Sequence, residues 1–442
     1  MQTSRRLQWL TSRIVELELL TTAFLVLFGG LAALTLTKSV LISTFELGML
    51  GLFVLIMYLT SFAMAWRGWG ENQVILPMAA LLASCSVIML QRLGPDLLAR
   101  YGEAYQQIAF KQTIWVLVGT VLAALIIFVP WRIYWLRHYR YTWLLLGIVL
   151  VVVTIFFGVE RNGARLWLNL GFLQFQPVEL LKLLLVIYFA TYLDDHRDLI
   201  GLGHYRIFGI SLPPLPYLLP LVLMWGLTMG LMIIQRDLGV ALLFAIVMLT
   251  MLYLVTAQIG YVVTGIVLFV LGAALIYPYF GYVRIRFISW YNPWFDPSGA
   301  GYQIIQALYS LASGGLFGLG LGQGNPASVP ESHTDFIFTS LGEELGLLGT
   351  LAITGCYLLF ACQGYIVALR ARDGFQQLLA AGLTTALVAQ AFIIMAGTTN
   401  LIPLTGITLP FVSYGGSSML MSFVIIGMLL RISASNKPAY VL

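Results

Sequence analysis

Residues 237–256 read DLGVALLFAIVMLTMLYLVT, and residues 260–280 read GYVVTGIVLFVLGAALIYPYF. Past Asp237 neither stretch holds a charged side chain. Each is about as long as the roughly 20 apolar residues that a helix needs to cross a bilayer. In hydrocarbon only structures that satisfy their own backbone hydrogen bonds survive, so continuous runs of this length read as spanning helices. The strands of a lipid-embedded barrel would instead alternate over about ten residues. The same ruler predicts about twelve spans, near 16–37, 45–66, 73–92, 111–130, 142–158, 176–193, 214–234, 237–256, 260–280, 336–367, 377–398 and 408–431. The run at 336–367 is over-long and implies a half-exposed turn or a tilt. One long non-spanning region, 281–335, separates the ninth span from the tenth.

Composition agrees. Hydrophobic residues make up 60% of the 442 and charged residues 9%, where a soluble domain carries roughly a quarter charged. Such a chain cannot cover a water-facing surface, and it is too apolar to be disordered. The net charge of +5 is scattered among the spans and forms no basic stripe, so nucleic acid is excluded as a partner. Cys85, Cys356 and Cys362 all sit in apolar runs and match neither a zinc spacing nor a disulfide framework. With the N-terminus inside, 13 Lys and Arg fall on the inner side and 9 on the outer, with Lys182 within a span. The excess predicts both termini in the cytoplasm and 281–335 outside. The aromatic and basic loop Trp131–Arg140 then anchors the inner interface.

In so apolar a chain each ionisable group at membrane depth needs a reason. Arg165 and Trp167 precede Gln176-Pro177-Val178-Glu179-Leu180-Leu181-Lys182. Pro177 suits a first helical turn, Glu179 suits the positive end of the helix dipole, and Lys182 shares its face. The pair reads either as self-neutralising or as a polar wall, with Lys182 and Arg165 facing an anionic substrate. Gln235-Arg236-Asp237-Leu238-Gly239 is a short turn between two spans, with room for one salt bridge. The outer region holds Asn292-Pro293-Trp294-Phe295-Asp296-Pro297 and Gln303, then a glycine-rich stretch, and closes on Glu331, His333 and Asp335. Two carboxylates and an imidazole this close push pKa values apart, as acid–base work needs. The alternative for Thr334 or Asp335 is a helix N-cap. Glu343 and Glu344 follow inside an apolar run, one facing a polar cavity and the other a backbone partner or water. Asn400 to Ser418, through Ser413, reads as non-helical backbone at depth.

These motifs, GARLWL with QPVELLK, QRDLG, NPWFDPSGAGYQ, PESHTDFIF with GEELG, and NLIPLTGITLPFVSYGGSS, resemble in order those of the SEDS family (shape, elongation, division and sporulation proteins) from about residue 73 to 431. The resemblance implies a transmembrane core over 73–442, including the extracellular loop 281–335. It implies ten family-like helices plus two extra N-terminal ones within 1–72. It implies a peptidoglycan glycosyltransferase of the bacterial plasma membrane that polymerises lipid II beside a class B penicillin-binding protein. The family's essential aspartate maps onto Asp335. Glu179, Lys182, Asp237, Arg165 and Trp167 match further motif positions. Val178 stands where Ser is usual, Arg236 where Pro is usual, and Gln91-Arg92-Leu93-Gly94 departs from the family's pattern. The longer N-terminus and the SGGLFGLGLGQG stretch lean toward the elongation branch.

On these expectations Asp335 takes the proton of an acceptor sugar hydroxyl, with Glu331 and His333 in support. The diphosphate leaving group meets Arg165, Lys182 or a divalent cation, Mg or Mn, not assigned to residues. Glu343, Glu344, Asn400 and Ser413 support the site, and Asp296 and Gln303 shape the loop. The rival functions are a flippase for the same lipid and a non-catalytic scaffold for the penicillin-binding protein.

Overall fold

The computed structural model describes residues 13–38, 40, 42–69, 72–129, 133–161, 164–169, 171, 174–201, 205–207, 210–212 and 215–435. Of the charges that set the expected orientation, Arg5, Arg6, Arg132 and Lys437 lie outside these. Two N-terminal helices, α1 (Ile14–Lys38) and α2 (Thr44–Trp66), precede α3 (Ile75–Tyr101), α4 (Ile108–Phe128), the short α5 (Tyr134–His138) and α6 (Arg140–Phe157). A small antiparallel sheet follows, β1 (Val159–Arg161), β2 (Ala164–Asn169) and β3 (Gln174–Phe175). Then come α7 (Pro177–Asp195), α8 (Arg197–Gly201), a two-stranded ribbon of β4 (Tyr205–Ile207) and β5 (Ile210–Leu212), α9 (Leu215–Ile234), α10 (Leu238–Thr256) and α11 (Ile259–Ile276). The chain ends with α12 (Gly281–Tyr291), α13 (Tyr302–Gly314), α14 (Ile337–Leu369), α15 (Gly374–Thr398) and α16 (Gly416–Ser435).

Ten of these helices among the described residues are long and apolar enough to cross a membrane. The predicted spans at 176–193 and 214–234 form helices too, α7 and α9, but fall outside that set. Helix α7 carries Glu179, Lys182, Asp194 and Asp195, whereas α9 holds no charged side chain along Leu215–Ile234. Helices α3, α7, α15 and α16 are buried almost all round, whereas Tyr261 is the one buried residue of α11. Leu, Ile and Val side chains on the outer helices therefore face lipid rather than a core, as an all-round apolar helix allows. The N-terminal helices are not detached, since α1 packs on α3 and α2 on α4.

The over-long apolar run resolves at Gly346. Its φ of 69° breaks α14 inside the stretch Ile337–Leu369, and only glycine takes that conformation without strain. The region 281–335 is not an open loop. It folds into α12, α13 and two short 3₁₀ turns, and α13 packs along α14.

Arg92 is expected as an outer-face charge at the end of a span. Instead α3 continues nine residues past it, and Arg92 is 1% exposed. Its Nε donates to Glu344 Oε1 at 2.5 Å, Nη1 to Asp96, and Nη2 to the Gly324 carbonyl at 2.7 Å. Glu344 Oε2 accepts the Gly322 N–H at 3.1 Å. Glu343 accepts from Ser310 Oγ at 2.6 Å and from the Asn325 N–H at 2.5 Å. Neither acid of the GEELG motif faces a polar cavity: both hold the glycine-rich segment, whose own N–H groups at Leu319 and Gly320 bond to the backbone carbonyls of Glu343 and Glu344.

Candidate active site

The segment carrying Asp335 is fixed by the turn that precedes α16. Ser413 Oγ donates to the Thr334 carbonyl at 2.6 Å and accepts the Leu409 N–H at 2.8 Å. The Tyr414 N–H donates to the His333 carbonyl at 2.8 Å. Behind that turn, Gln112 Nε2 donates to the Ser413 carbonyl at 3.1 Å. Glu331 takes a left-handed backbone with φ 55°, so that its carbonyl accepts from both the Thr334 and the Phe336 N–H at 3.1 Å. These bonds bring residues 331–336 round in a tight turn, with Asp335 at its end.

Asp335 is not used as a cap. Helix α14 starts at a Phe336 cap with no side-chain hydrogen bond. That leaves the carboxylate free for chemistry, contrary to the capping alternative. It is half-buried. Burial first, then the Glu331 charge, push it up to about 7, while Arg286 acts to lower it and Asp237 to raise it. Burial holds His333 below its usual value against the pull of Glu331. Its ring stands edge-on to Tyr105 at 5.1 Å, and its Nε2 lies 3.8 Å from Glu331 Oε2.

Arg286 is a candidate site residue that sequence reasoning missed. It stands on the short helix α12, and its Nη1 donates to the Thr405 carbonyl at 2.9 Å. Gly406, next along, has φ 71°, and a Cβ there would sit 3.6 Å from both Arg286 Nη2 and Asp335 Oδ2. The glycine backbone thus forms a floor beneath the guanidinium and the carboxylate together. Among the described residues no carboxylate lies within ion-pair distance of Arg286. The sequence offered only an Arg in the stretch before NPWFDP, and its partner is 119 positions away.

Asp237 caps α10, accepting the Val240 N–H at 3.1 Å. Burial pushes it up to about 6, the Val240 N–H and Arg286 pull the other way, and Glu179 adds to the rise. The expected salt bridge with Arg236 does not form: that side chain is exposed and lies over the Tyr282 ring. The cation acting on Asp237 is Arg286.

Lys182 is closed off. It is 4% exposed, and its Nζ donates to Glu179 Oε2 and to Gln390 Oε1, both at 2.6 Å. Gln390 Nε2 passes the network to the Thr408 carbonyl at 2.9 Å, and Thr408 Oγ1 to Ser418 at 2.7 Å. The pair is self-neutralised and tied to the Asn400–Ser418 stretch. Arg165, on β2, pairs with Glu160 at 3.2 Å, both exposed; Trp167 is half-buried on the same strand. Gln235 Nε2 reaches the Arg165 carbonyl at 3.5 Å. Asn400 clasps Trp290: its carbonyl accepts the indole N–H at 3.1 Å, and its Nδ2 donates to the Trp290 carbonyl at 3.3 Å. Asp296 folds the loop through the Gly299 and Ala300 N–H groups at 3.0 and 2.9 Å, and Gln303 lies in the first turn of α13. Among the described residues no three His, Cys, Asp or Glu side chains converge on a metal position.

The family model for FtsW, RodA and SpoVE, described as "Cell cycle protein", matches residues 72–438. The peptidoglycan glycosyltransferase RodA of Mycobacterium tuberculosis is 40% identical over 366 residues, covering 82% of this chain and 78% of that one. The probable peptidoglycan glycosyltransferase FtsW of Geobacter sulfurreducens is 34% identical over 376 residues, covering 83% and 96%. A chain from a structure described as the coordination of polymerization and crosslinking by a peptidoglycan synthase complex superposes with TM-score 0.68 at 26% identity, covering 83% and 99%. The Thermus thermophilus rod shape determining protein RodA, at 24% identity and TM-score 0.58 with 83% and 97% covered, shares the fold.

Removing the Ser413 hydroxyl unties Thr334 without touching Asp335. Ser413→Ala is expected to leave a folded protein while lowering its turnover by roughly tenfold to a hundredfold, the scale of a misplaced reacting group. Steady-state kinetics of the purified variant check this, and an unchanged turnover contradicts the positioning role.

Proposed function

The chain belongs to the family of FtsW, RodA and SpoVE cell cycle proteins, and from that premise we propose how its site works. It is a multi-pass membrane protein and a peptidoglycan glycosyltransferase. We read its substrate as lipid II, a disaccharide-peptide on an isoprenoid diphosphate, and Asp335 as the general base. The observation that carries this is the uncapped, half-buried carboxylate of Asp335, set beside Arg286 on the Gly406 floor.

An acceptor hydroxyl is far too weak an acid to ionise at neutral pH. A carboxylate in hydrogen-bond reach takes its proton as the new glycosidic bond forms. A carboxylate held near 7 binds that proton more readily than an ordinary one, and a substantial fraction of it is still ionised around neutrality. The glycosidic bond to the diphosphate breaks with its electron pair on the leaving phosphate oxygen. Arg286, which has no carboxylate partner among the described residues, is the side chain placed to stabilise that charge. Lys182 and Glu179 instead keep Asn400–Ser418 in register, and Asp237 starts α10 beside the site. Attack from the face opposite the leaving group inverts the anomeric centre in one step, and no covalent enzyme intermediate is needed. A divalent cation, if used, rests on one or two carboxylates together with the substrate's phosphates, and no step here depends on it.

The finer architecture is part of the same proposal. Twelve spans result when α7 and α9 are counted with the ten apolar helices, with the core from residue 73 and two added helices before it. Charge placement supports cytoplasmic termini and an outward site. The first and last described helices also meet at one end, where Arg13 and Ser433 line a common crevice. A class B penicillin-binding protein is the proposed partner for crosslinking, in line with the synthase complex that the fold matches.

The test of the base is polymerisation of purified lipid II. General bases contribute about 10²–10⁴-fold in rate, and Asp335→Asn keeps the shape but cannot take the proton. A folded Asp335→Asn protein that polymerises at a small fraction of the wild-type rate is expected, and a near wild-type rate overturns the assignment. For the sides, a cysteine placed at Ser328 is expected to react with a membrane-impermeant reagent on intact cells; protection until the membrane is opened contradicts the orientation.

A further inference from the structure

A cavity of about 640 Å³ lies where the N-terminal helices meet the core. It borders the site without including Asp335. Lys38 and Val40 come from the end of α1, Ser43 and Glu46 from the start of α2, and Gln91 to Leu98 from α3. Tyr105 to Phe110 close it at the start of α4, and the Tyr105 ring touches His333. This is also the end of the bundle where Gly322 lies against Thr37.

Its polar lining includes one cation, Lys38, and the donor amide of Gln91. Gln91 is 6% exposed, and its Nε2 has no hydrogen-bond partner. A buried amide donor left unpaired is costly, and here it sits in a cavity wall. Helix α4 begins at Gln107, which has φ 63° and makes no side-chain cap; its first N–H groups and the helix dipole favour an anion. Lys38 makes a long ion pair with Asp96 at 3.6 Å, and its side chain is part-exposed, so that it can also meet a ligand at the cavity mouth. The acid in the lining, Glu46, is taken up by the Ser43 backbone N–H at 3.2 Å in a capping box. Leu90, Pro95, Leu98, Ile108 and Phe110 supply apolar wall. Phe45, 67% exposed, stands against Phe110 at the rim, so the rim opens among lipid-facing side chains.

We propose that this cavity binds a bilayer phospholipid, with its phosphate among Gln91, Lys38 and the start of α4 and an acyl chain along the α3 wall. The lipid seats the two N-terminal helices on the core, one aromatic contact away from the segment that carries Asp335. The site is independent of the assignment of the base, because Gln91 and Lys38 belong to neither the proton transfer nor the leaving-group contacts.

The experiment is a titration of the delipidated full chain with phosphatidylglycerol, read by native mass spectrometry. Diacylglycerol with the same chains, inorganic phosphate and undecaprenyl phosphate serve as the other arms. One saturable phosphatidylglycerol per chain is expected, with neither diacylglycerol nor inorganic phosphate matching its affinity. Gln91→Leu removes an unpaired buried donor, so it should fold at least as well; it is expected to weaken the lipid roughly tenfold, the scale of one hydrogen bond to a charged group. Lys38→Ala is expected to weaken it as well, with thermal unfolding of the lipid-free protein unchanged. Equal affinity in wild type and both variants overturns the site. Diacylglycerol binding as tightly overturns the head-group contacts, and inorganic phosphate binding as tightly overturns the role of the chain. Displacement by undecaprenyl phosphate at far lower concentration overturns the bilayer lipid as occupant.

Discussion

The buried ion pair between Arg92 and Glu344 is the interaction on which the site's end of the bundle depends. A charge pair taken out of water holds only if its remaining donors and acceptors are met. Here they are met by Asp96, the Gly324 carbonyl and the Gly322 N–H. The consequence is a glycine-rich segment held in one conformation against the short half of α14. Removing one partner of such a pair costs about 3–5 kcal/mol, because the other is left charged and alone. Glu343 adds a second attachment through Ser310 and Asn325. Asp335 is presented at the start of the helix that these acids anchor.

Around Asp335 the charges are arranged by position more than by number. Two buried or half-buried carboxylates, Asp335 and Asp237, share the influence of one guanidinium that contacts a backbone carbonyl and pairs with neither. Both are pushed up, and Asp237 is partly relieved by the Val240 N–H. Lys182, the cation that the sequence makes most conspicuous, is already saturated by Glu179 and Gln390. Hence the two basic residues are placed differently: Lys182 ties α7 to α15 and the Asn400–Ser418 stretch, and Arg286 contacts only the Thr405 carbonyl among the hydrogen bonds of the described residues.

The helical class was legible because a spanning helix is written locally, in about 20 consecutive side chains. The sequence also singles out Asp335, an acid in a long motif just ahead of an apolar run. The break in α14 was half-legible: the run was visibly too long, but only the geometry at Gly346 locates it. What sequence could not supply were contacts across the fold. Arg92 reads as an outer charge because its partner Glu344 is 252 residues away. Asn400 reads as a site residue, yet it reaches Trp290 across 110 positions as a clasp. Arg286 was counted only as a charge, since nothing local says that its side chain meets Thr405 and the Gly406 floor.

The account stands on the ionisation of Asp335, set by its burial and by the neighbouring Glu331. The most direct measurement is the pH dependence of lipid II polymerisation at saturating substrate, in wild type and in Glu331→Gln. A base raised to about 7 must lose its proton to work, so the rate should climb as pH rises through neutrality and level off above it. Taking away the Glu331 charge removes one of the causes of the rise, so the acid limb of Glu331→Gln should move to lower pH. A rate independent of pH across this range, or an acid limb that stays in place in the variant, contradicts the account.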